Sequence, residues 1–337
     1  MIAKRIRAFF ARSVKALIAK TPYRLIHGAE LELKDRALAA VGEAHLNPLA
    51  DDGSVRAIIF SRDRPLQLHA LLSGYFDCFD EPPPVRVMYS VSGEREAAAY
   101  EELKTAFSNQ DLQLVRETDF REDLLKQLEA AGSGRVFFLV DDIVFLEPIA
   151  AADLKNFPVG THVLSLRLAP RIDFSYTTQK SQRLPELRDY ATHAQNGRGL
   201  SRPALEWNWA SGEIDWAYAF SVDGHVFRAR EILQLAKSVH FRAPNSFESA
   251  MQAFAPYFAA RKGICYERPA LVNIPCNRVQ TEVDNVHGSM HQDRLLELWE
   301  AGQRVDFRAL YGAQTNSCHQ EMVLPLRSDS EAEKSSV

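Results

Sequence analysis

The chain has 337 residues, of which 46% are hydrophobic and 25% are charged, and its formal net charge is −4. This composition is typical of a soluble globular protein rather than of a disordered or membrane-spanning chain. The charge is uneven, because the first 24 residues carry seven basic side chains and no acidic one, which leaves −11 for the rest. A nucleic-acid-binding body is therefore not expected, since phosphate recognition needs a basic patch.

Residues 1–24 are predicted to form an amphipathic helix. Apolar side chains recur there at steps of three and four, and the opposite face is basic. Such a helix can lie in the headgroup region of an anionic membrane, where each basic residue contributes about 1 kcal/mol, or it can dock on the body of the protein. An organellar presequence is a third interpretation, because it would also be Arg-rich and free of acids.

The remaining composition indicates a soluble, cytoplasmic protein. No window approaches the roughly 18 uninterrupted apolar residues of a transmembrane helix, and no secretory signal is recognisable. The four cysteines form no CxxC pair and no short-range Cys/His cluster of the kind that structural zinc requires, which fits a reducing cytosol. We expect a basic helix and linker over 1–50, one folded domain over 51–325 and a disordered tail over 326–337.

From Val55 onward, short apolar runs alternate with helical patterns. The runs are rich in β-branched and aromatic residues, which is typical of strands, and the segments between them have helical periodicity. This alternation predicts an α/β fold with a mostly parallel, twisted sheet flanked by helices. The predicted strands are 55–60, 85–90, 112–115, 136–140, 162–169 and 219–228, and the predicted helices are 65–76, 94–107 and 230–239.

The carboxyl ends of the first four predicted strands should form one rim of the sheet. In open α/β sheets, ligands bind beyond the carboxyl ends of the strands. The polar residues that follow these strands are therefore candidates for a binding site. Asp63 is also a plausible N-cap for the helix that begins near Pro65. The rim residues are Ser61–Arg64, Tyr89–Ser92, Glu117–Asp119 and Asp141–Asp142.

The sharpest local signal is the pair Asp141–Asp142, which interrupts the apolar run Val136–Phe145. Two adjacent acids at the end of a buried strand repel each other and lose solvation unless a cation or hydrogen-bond donors compensate them. Mg²⁺ or Mn²⁺ suits such oxygen ligands and would share its coordination shell with substrate phosphates. An exposed acidic turn is the alternative interpretation.

A second cluster lies at Trp207–Trp216, where three tryptophans are interspersed with acids. Aromatic faces stack on sugar rings and carboxylates accept hydrogen bonds from sugar hydroxyls, so the composition suits a carbohydrate pocket. The tryptophans could instead belong to the core, Trp216 above all. Asp223–Gly224 follows shortly afterwards, in a stretch that a simple turn would also explain.

The segment Pro244–Met251 has the pattern of a capped helix start. Asn245 or Ser246 would be the cap. A capping box would explain Glu248 in the first turn without any chemistry.

In their order along the chain, these features resemble GT-A glycosyltransferases, especially the family-2-like group of bacterial surface-polysaccharide synthesis. The resemblance covers roughly Val55–Gly288. It implies that Asp142 coordinates a divalent ion that bridges the donor's diphosphate, and that Asp141 lies near the donor's ribose or sugar. The sequence departs from the family at Val140, which occupies the first place of the usual Asp-any-Asp motif.

The same resemblance implies roles for further residues. Glu248 would be the general base that takes the proton of the acceptor hydroxyl, with Asp223 and Asp215 as further candidates. His287 would be a third protein ligand of the metal. The implied contacts to the donor are made by Ser61, Arg62, Asp63, Arg64, Ser90, Asp141 and Gly212.

The resemblance implies a hexosyltransferase-like enzyme that moves a sugar from a nucleotide-diphosphate sugar to a glycan or lipid-linked acceptor, with Mn²⁺ or Mg²⁺ as cofactor. We expect no nucleic-acid partner, and peripheral contact with the inner face of the plasma membrane would come from residues 1–24. A nucleotidyltransferase is one alternative, although such enzymes commonly carry a Gly-rich phosphate loop and Phe60–Leu66 contains no glycine. A sugar-binding scaffold with a degenerate GT-A fold is the other alternative, which Val140 favours.

Overall fold

The computed structural model describes residues 51–190, 199–276 and 292–328, together with isolated positions between 28 and 42. The predicted amphipathic helix and the final residues 329–337 lie outside the described residues. Among the residues that are described, no helix has the length and hydropathy needed to cross a bilayer.

The strands and helices follow one another with short connections. In chain order, the strands are β1 (Val55–Arg62), β2 (Val85–Ser90), β3 (Leu112–Arg116), β4 (Arg135–Val140), β5 (Ile143–Phe145), β6 (His162–Ser165), β7 (Phe174–Ser175), β8 (Lys180–Ser181), β9 (Arg188–Tyr190), β10 (Ala204–Asn208), β11 (His225–Arg228), β12 (Lys262–Tyr266), β13 (Leu271–Asn273), β14 (Gln303–Val305) and β15 (Leu326–Ser328). The helices are α1 (Pro65–Cys78), α2 (Glu94–Ala106), α3 (Phe120–Ala130), α4 (Ala151–Asn156), α5 (Ala229–Ser238), α6 (Pro244–Met251), α7 (Ala255–Phe258) and α8 (Gln292–Glu300).

Within the described ranges, nine strands form one sheet in the order β3-β2-β1-β4-β11-β6-β12-β10-β9. Strands β10 and β11 run against the other seven, so the sheet is mostly parallel. The prediction of an α/β fold with a mostly parallel sheet flanked by helices is confirmed.

Side chains of the central strands alternate between two hydrophobic cores, as the period of two in a strand requires. On β1, Ala57 and Ile59 pack into the core that includes α1, α2 and α8. Ile58 and Phe60 point to the other face, where α3, α5 and α6 cover the sheet. Burial on both faces explains why these strands are recognisable in the sequence as continuous apolar runs.

The turn between β1 and α1 is held by Asp63. Its backbone is in the left-handed region, with φ of 54°, and its carboxylate accepts hydrogen bonds from the Ser92 amide at 2.7 Å and the Ser92 hydroxyl at 2.6 Å. The predicted N-cap role of Asp63 is wrong, because Arg64 occupies the N-cap position and Pro65 begins the helix. Asp63 instead ties the loop after β1 to the loop after β2.

Three predicted boundaries differ from the structure in the second half of the chain. The strand expected over 162–169 ends at Ser165, whose hydroxyl accepts a hydrogen bond from the Leu168 amide and turns the chain. The strand expected over 219–228 contains only β11, because Gly224, with φ of 79°, forms a turn directly before it. Strand β15 lies inside the segment expected to be a disordered tail. It pairs with β14, so order continues to Ser328.

Candidate functional site

A cleft of about 510 Å³ lies at the carboxyl ends of β1, β2 and β4. This volume is in the range of sites for small molecules and cofactors. Among the residues predicted from the sequence, those that line the cleft are Ser61, Arg62, Arg64, Ser90, Glu117, Asp141, Asp142, Asp215, Asp223 and Glu248.

The order of the strands explains why these side chains converge. Asp141 and Asp142 follow β4, at the middle of the sheet, and Ser61 and Ser90 lie on β1 and β2 to one side. On the other side lies β11, which runs antiparallel to β4. Its beginning is therefore at the edge where β4 ends, and this places Asp223, two residues before β11, on the same rim.

Asp141 is the centre of a first buried group, which we call the Arg64 cluster (Ser61, Arg64, Asp141 and Asp142). The Asp141 carboxylate accepts hydrogen bonds from the Ser61 hydroxyl at 2.9 Å, the Arg62 amide at 3.0 Å and the Arg64 guanidinium at 2.9 Å. The same Arg64 nitrogen lies 3.2 Å from Asp142. Although burial opposes the charged form, Asp141 and Asp142 raise the pKa of Arg64 above its ordinary value.

Asp142 is less completely compensated than its neighbour. Strand β13 pairs antiparallel with β5, which brings Asn273 beside Asp142, and the Asn273 amide donates to the Asp142 carboxylate at 3.2 Å. Burial, followed by the nearby charges of Asp141 and Asp223, raises the pKa of Asp142 to about 6, although Arg64 acts in the opposite direction. The surroundings of Asp142 therefore disfavour its charged form.

A second buried group forms around Arg167 and is called here the Arg167 cluster (Arg167, Asp215, Ser221 and Asp223). The guanidinium donates to Asp223 at 2.6 Å, to Ser221 at 3.0 Å and to Asp215 at 3.1 Å. Asp223 also accepts a hydrogen bond from Asn273 at 3.3 Å, so the Asn273 amide links the two clusters.

Glu248 faces the Arg167 cluster from helix α6. Its carboxylate accepts a hydrogen bond from the Val222 amide at 3.1 Å. Burial, and then the charge of Asp223, raises the pKa of Glu248 to about 7, against the opposing effect of Arg167. The capping explanation for Glu248 is wrong, because Ser246 accepts the hydrogen bond from the Ala243 amide at the helix start.

The chemistry around Asp142 fits a hard divalent cation that would also bind substrate oxygens. Besides the Asp142 carboxylate, the side-chain oxygen of Asn273 is buried and has no hydrogen-bond partner among the described residues. Carboxylate and amide oxygens are preferred ligands of Mg²⁺ and Mn²⁺, which usually complete their shells with water and phosphate. The described part of the chain contains no preassembled group of three or more His, Cys, Asp or Glu ligands.

Some predicted site residues do not line the cleft. Gly212 packs against the backbone of Trp216, where a Cβ atom would lie 2.1 Å from the Trp216 oxygen, so its small size serves local packing. Asp63 is committed to Ser92, and His287 lies outside the described residues. The carbohydrate-pocket interpretation of the tryptophans is also wrong. All three are at most 2% exposed and belong to the hydrophobic core: Trp207, Trp209 and Trp216.

The sequence interpretation missed several residues that line the cleft. Arg167 interrupts an apolar run in the same way as Asp141–Asp142, and this signal could have identified it. His319, which lies 3.7 Å from Asp223, has no comparable sequence signal, because it approaches through a backbone bridge to Asn273. Burial lowers the pKa of His319. The hydroxyl residues near position 176 were likewise not predicted.

No protein-family model matches the chain, and no curated protein is significantly similar to it. Partial similarities to solved structures exist. The mannosyltransferase PcManGT from Pyrobaculum calidifontis, in complex with GDP-Man and Mn²⁺, is 16% identical over 43% of this chain and 48% of its own, with a TM-score of 0.27. S. aureus TarS 1-349 in complex with UDP-GlcNAc is 14% identical over 65% of this chain and 57% of its own, with a TM-score of 0.39.

The bifunctional glycosyltransferase WbbM, in its apo form, is 13% identical over 62% of this chain and 38% of its own, with a TM-score of 0.34. The chain thus spans between 38% and 57% of the length of these three structures. Because the overlaps are partial, we assign the architecture from the sheet itself.

Proposed function

We propose that the protein is a glycosyltransferase that moves a sugar from a nucleotide-diphosphate donor to a hydroxyl of an acceptor. The observation that carries this proposal is that one cleft contains both a position suited to a metal and diphosphate and a carboxylate suited to a general base. An acidic, metal-compatible position at Asp142 lies between the polar ends of β1 and β2 and a carboxylate, Glu248, whose pKa of about 7 suits a general base.

The nucleotide would bind on the β1–β2 side of the cleft. Ser61 and Ser90 provide polar groups at the strand ends, and Arg62, whose side chain is 51% exposed, can reach a phosphate. Arg242, two residues before helix α6, also lines the cleft. Guanidinium groups are well suited to bind phosphate oxygens in a bidentate manner.

Asp142 and Asn273 would hold a divalent cation, Mn²⁺ or Mg²⁺, beside the diphosphate. When bound, this ion would supply neutralisation of the charge that develops on the leaving diphosphate. Arg64 keeps Asp141 and the Asp142 side chain in place through its hydrogen bonds of 2.9 and 3.2 Å. Burial, and then the charges of Asp141 and Asp223, raise the pKa of Asp142, and a bound cation would favour its charged form.

Glu248 would act as the general base. Its carboxylate would take the proton of the acceptor hydroxyl while the hydroxyl oxygen attacks the anomeric carbon and the nucleoside diphosphate leaves. A pKa of about 7 leaves a large fraction of Glu248 ionised at neutral pH and still gives it enough basicity to accept the proton. Asp223 would orient this site through its contacts with Arg167 and Asn273.

The finer assignments rest on the sequence alone. They are a hexosyltransferase-like activity in surface-polysaccharide synthesis, a glycan or lipid-linked acceptor, a cytoplasmic location, and contact with an anionic membrane through residues 1–24. The division between an N-terminal segment over 1–50 and a folded domain that begins at 51, and a metal-ligand role for His287, are proposals of the same kind.

Analysis of the products tests the proposal. The purified full-length chain is incubated with UDP- and GDP-sugars and Mn²⁺, and the released nucleotide is identified by chromatography. Nucleoside diphosphate is the expected product of glycosyl transfer or of slow donor hydrolysis. Formation of nucleoside triphosphate and sugar 1-phosphate in a parallel sample with added pyrophosphate would instead identify a nucleotidyltransferase. Absence of both turnover and metal-dependent nucleotide binding would favour a sugar-binding scaffold and contradict the proposal.

A further inference from the structure

A hairpin forms the wall of the cleft on the side of the Arg167 cluster, and the proposed function assigns it no role. Strands β7 and β8 pair antiparallel, and the chain between them bears a series of hydroxyl groups. The residues of this hairpin that line the cleft are Ser175, Tyr176, Thr177 and Thr178. We call them the hydroxyl wall.

The hydroxyl wall is held firmly on the Arg167 side of the cleft. Gln182, at the base of the hairpin, exchanges two hydrogen bonds with Asp215, at 3.1 and 2.9 Å, and Asp215 binds Arg167. The Tyr176 amide donates to the Ser317 hydroxyl at 3.0 Å, close in sequence to His319. The wall is therefore anchored to the residues around the proposed base, and lies across the Asp141–Asp142 pair from the ends of β1 and β2.

Hydroxyl groups of the wall remain available to a ligand. The Ser175 hydroxyl is buried, with the residue 1% exposed, and it has no hydrogen-bond partner among the described residues. A buried hydroxyl without a partner is unfavourable, so a ligand that fills its hydrogen bond would be stabilised. Thr177 and Thr178 are exposed at the cleft.

Two aromatic rings complete this half of the cleft. Tyr176 and Tyr218 are half-buried, and both line the cleft together with Glu248. Aromatic faces pack on the apolar C–H faces of sugar rings, and hydroxyl groups both donate to and accept from sugar hydroxyls. The tyrosines thus offer the platform that the tryptophans do not.

The charges of this half disfavour an anionic ligand. Three carboxylates, those of Asp215, Asp223 and Glu248, surround Arg167, whose charge is already shared between two of them. These acids would repel a further negative charge placed here, and the repulsion is strong because the buried site has a low dielectric constant. An uncharged polyhydroxylated ring meets no such repulsion.

We propose that the hydroxyl wall, with Tyr218, is the acceptor subsite and that it binds an uncharged sugar ring rather than a uronic acid or sugar phosphate. This inference rests on the proposed function, because it assigns the acceptor of that reaction. It predicts a preference that can be measured by binding, independently of turnover.

The test compares binding of matched glycosides to the full chain by ligand-observed NMR. The probes are methyl glycosides of glucose, galactose and mannose and the corresponding uronic acids, each with and without UDP. At least one neutral glycoside should bind, and its uronic acid should bind more weakly by about tenfold. Replacing both threonines, Thr177→Val and Thr178→Val, should weaken neutral-glycoside binding by about tenfold, as expected for two neutral hydrogen bonds. The Thr105→Val variant, on the exposed face of α2, should bind as the wild type does.

The outcomes separate this inference from the proposed function. Equal binding of neutral and acidic glycosides, no effect of the double threonine variant, or no glycoside binding at the highest soluble concentration would each overturn the acceptor subsite. UDP and GDP binding, measured in the same samples, should be unchanged by the threonine substitutions. If the wild type bound neither UDP nor GDP, that result would count against the proposed function instead.

Discussion

The Arg64 cluster and the Arg167 cluster are both buried groups of acids around one guanidinium, but they are compensated differently. In the Arg64 cluster, Asp141 accepts three hydrogen bonds. Around Arg167, one guanidinium serves Asp215 and Asp223 directly, and Glu248 stands beside them with its pKa raised to about 7. The three hydrogen bonds of Asp141 are those of a scaffold, whereas Asp142 in the first cluster and Glu248 beside the second are less well compensated.

This difference shows which buried carboxylates are held in an environment that disfavours their charged forms. Asp141 is satisfied, so its removal would disturb the strand end itself. Glu248 and Asp142 carry raised pKa values because burial and neighbouring acids disfavour their charged forms. Groups whose ionisation is disfavoured in this way, and that line a cleft, are candidates for chemistry.

Glu248→Gln should have the largest effect on activity. Loss of the general base should lower kcat by about 10²- to 10⁴-fold, with little change in the affinity for nucleotide. In the wild type, kcat/KM should rise with pH up to about 7 and level off, because only the ionised carboxylate accepts a proton. Initial rates of nucleoside diphosphate release across pH 5–9 measure both.

The matched control is Glu101→Gln on the exposed surface of α2, which should leave the rate and the pH profile unchanged. A Glu248→Gln variant that keeps the wild-type rate and the same acidic limb would show that another group takes the proton.

Arg64→Met should have the largest effect on stability. It would leave Asp141 and Asp142 buried without their cation, and breaking a buried ion pair from one side costs about 3–5 kcal/mol. Denaturant unfolding measures the loss. Arg62→Met, two residues away at the end of β1 and half exposed, should change the free energy of unfolding by less than about 0.5 kcal/mol. Similar values for the two variants would contradict the scaffold role of the Arg64 cluster.

The smallest predicted effect is a pH-dependent gain in stability in Glu248→Gln. The folded-state pKa of about 7 exceeds the ordinary value of 4.5, so the stability that protonated Glu248 contributes is complete below pH 4.5 and is lost as pH rises through 7. The variant keeps a neutral side chain at every pH. Its Tm should therefore match the wild type near pH 4.5 and exceed it by roughly 2–4 °C at pH 8. A Tm difference that is constant with pH would show that Glu248 is not buried as described.

The first half of the fold was predictable from the sequence because its signals are local. Strands buried on both faces produce continuous apolar runs, and the acids at Asp141–Asp142 mark the end of one such run. The rim rule then placed Ser61 and Ser90 at the same edge.

The second half was predicted less well because its contacts join distant segments. Strand β11 is inserted antiparallel between β4 and β6, which puts Asp223 at the rim although it precedes its strand. His319 and Asn273 meet through a bridge between residues 46 positions apart in sequence. The tryptophans have a composition that suits either a sugar platform or a core, and only the packing decides between the two.

The central claim is that Asp142 helps to bind a cation that in turn binds a diphosphate. Isothermal titration of UDP and GDP into the wild type and into Asp142→Asn, with Mn²⁺ or with EDTA, tests it most directly, and Asp111→Asn at the exposed end of β2–β3 is the control. We predict that Mn²⁺ tightens nucleotide binding by at least about tenfold in the wild type and the control but not in Asp142→Asn, which corresponds to about 1.4 kcal/mol. An equal effect of Mn²⁺ on all three proteins, or tight nucleotide binding without it, would contradict the account.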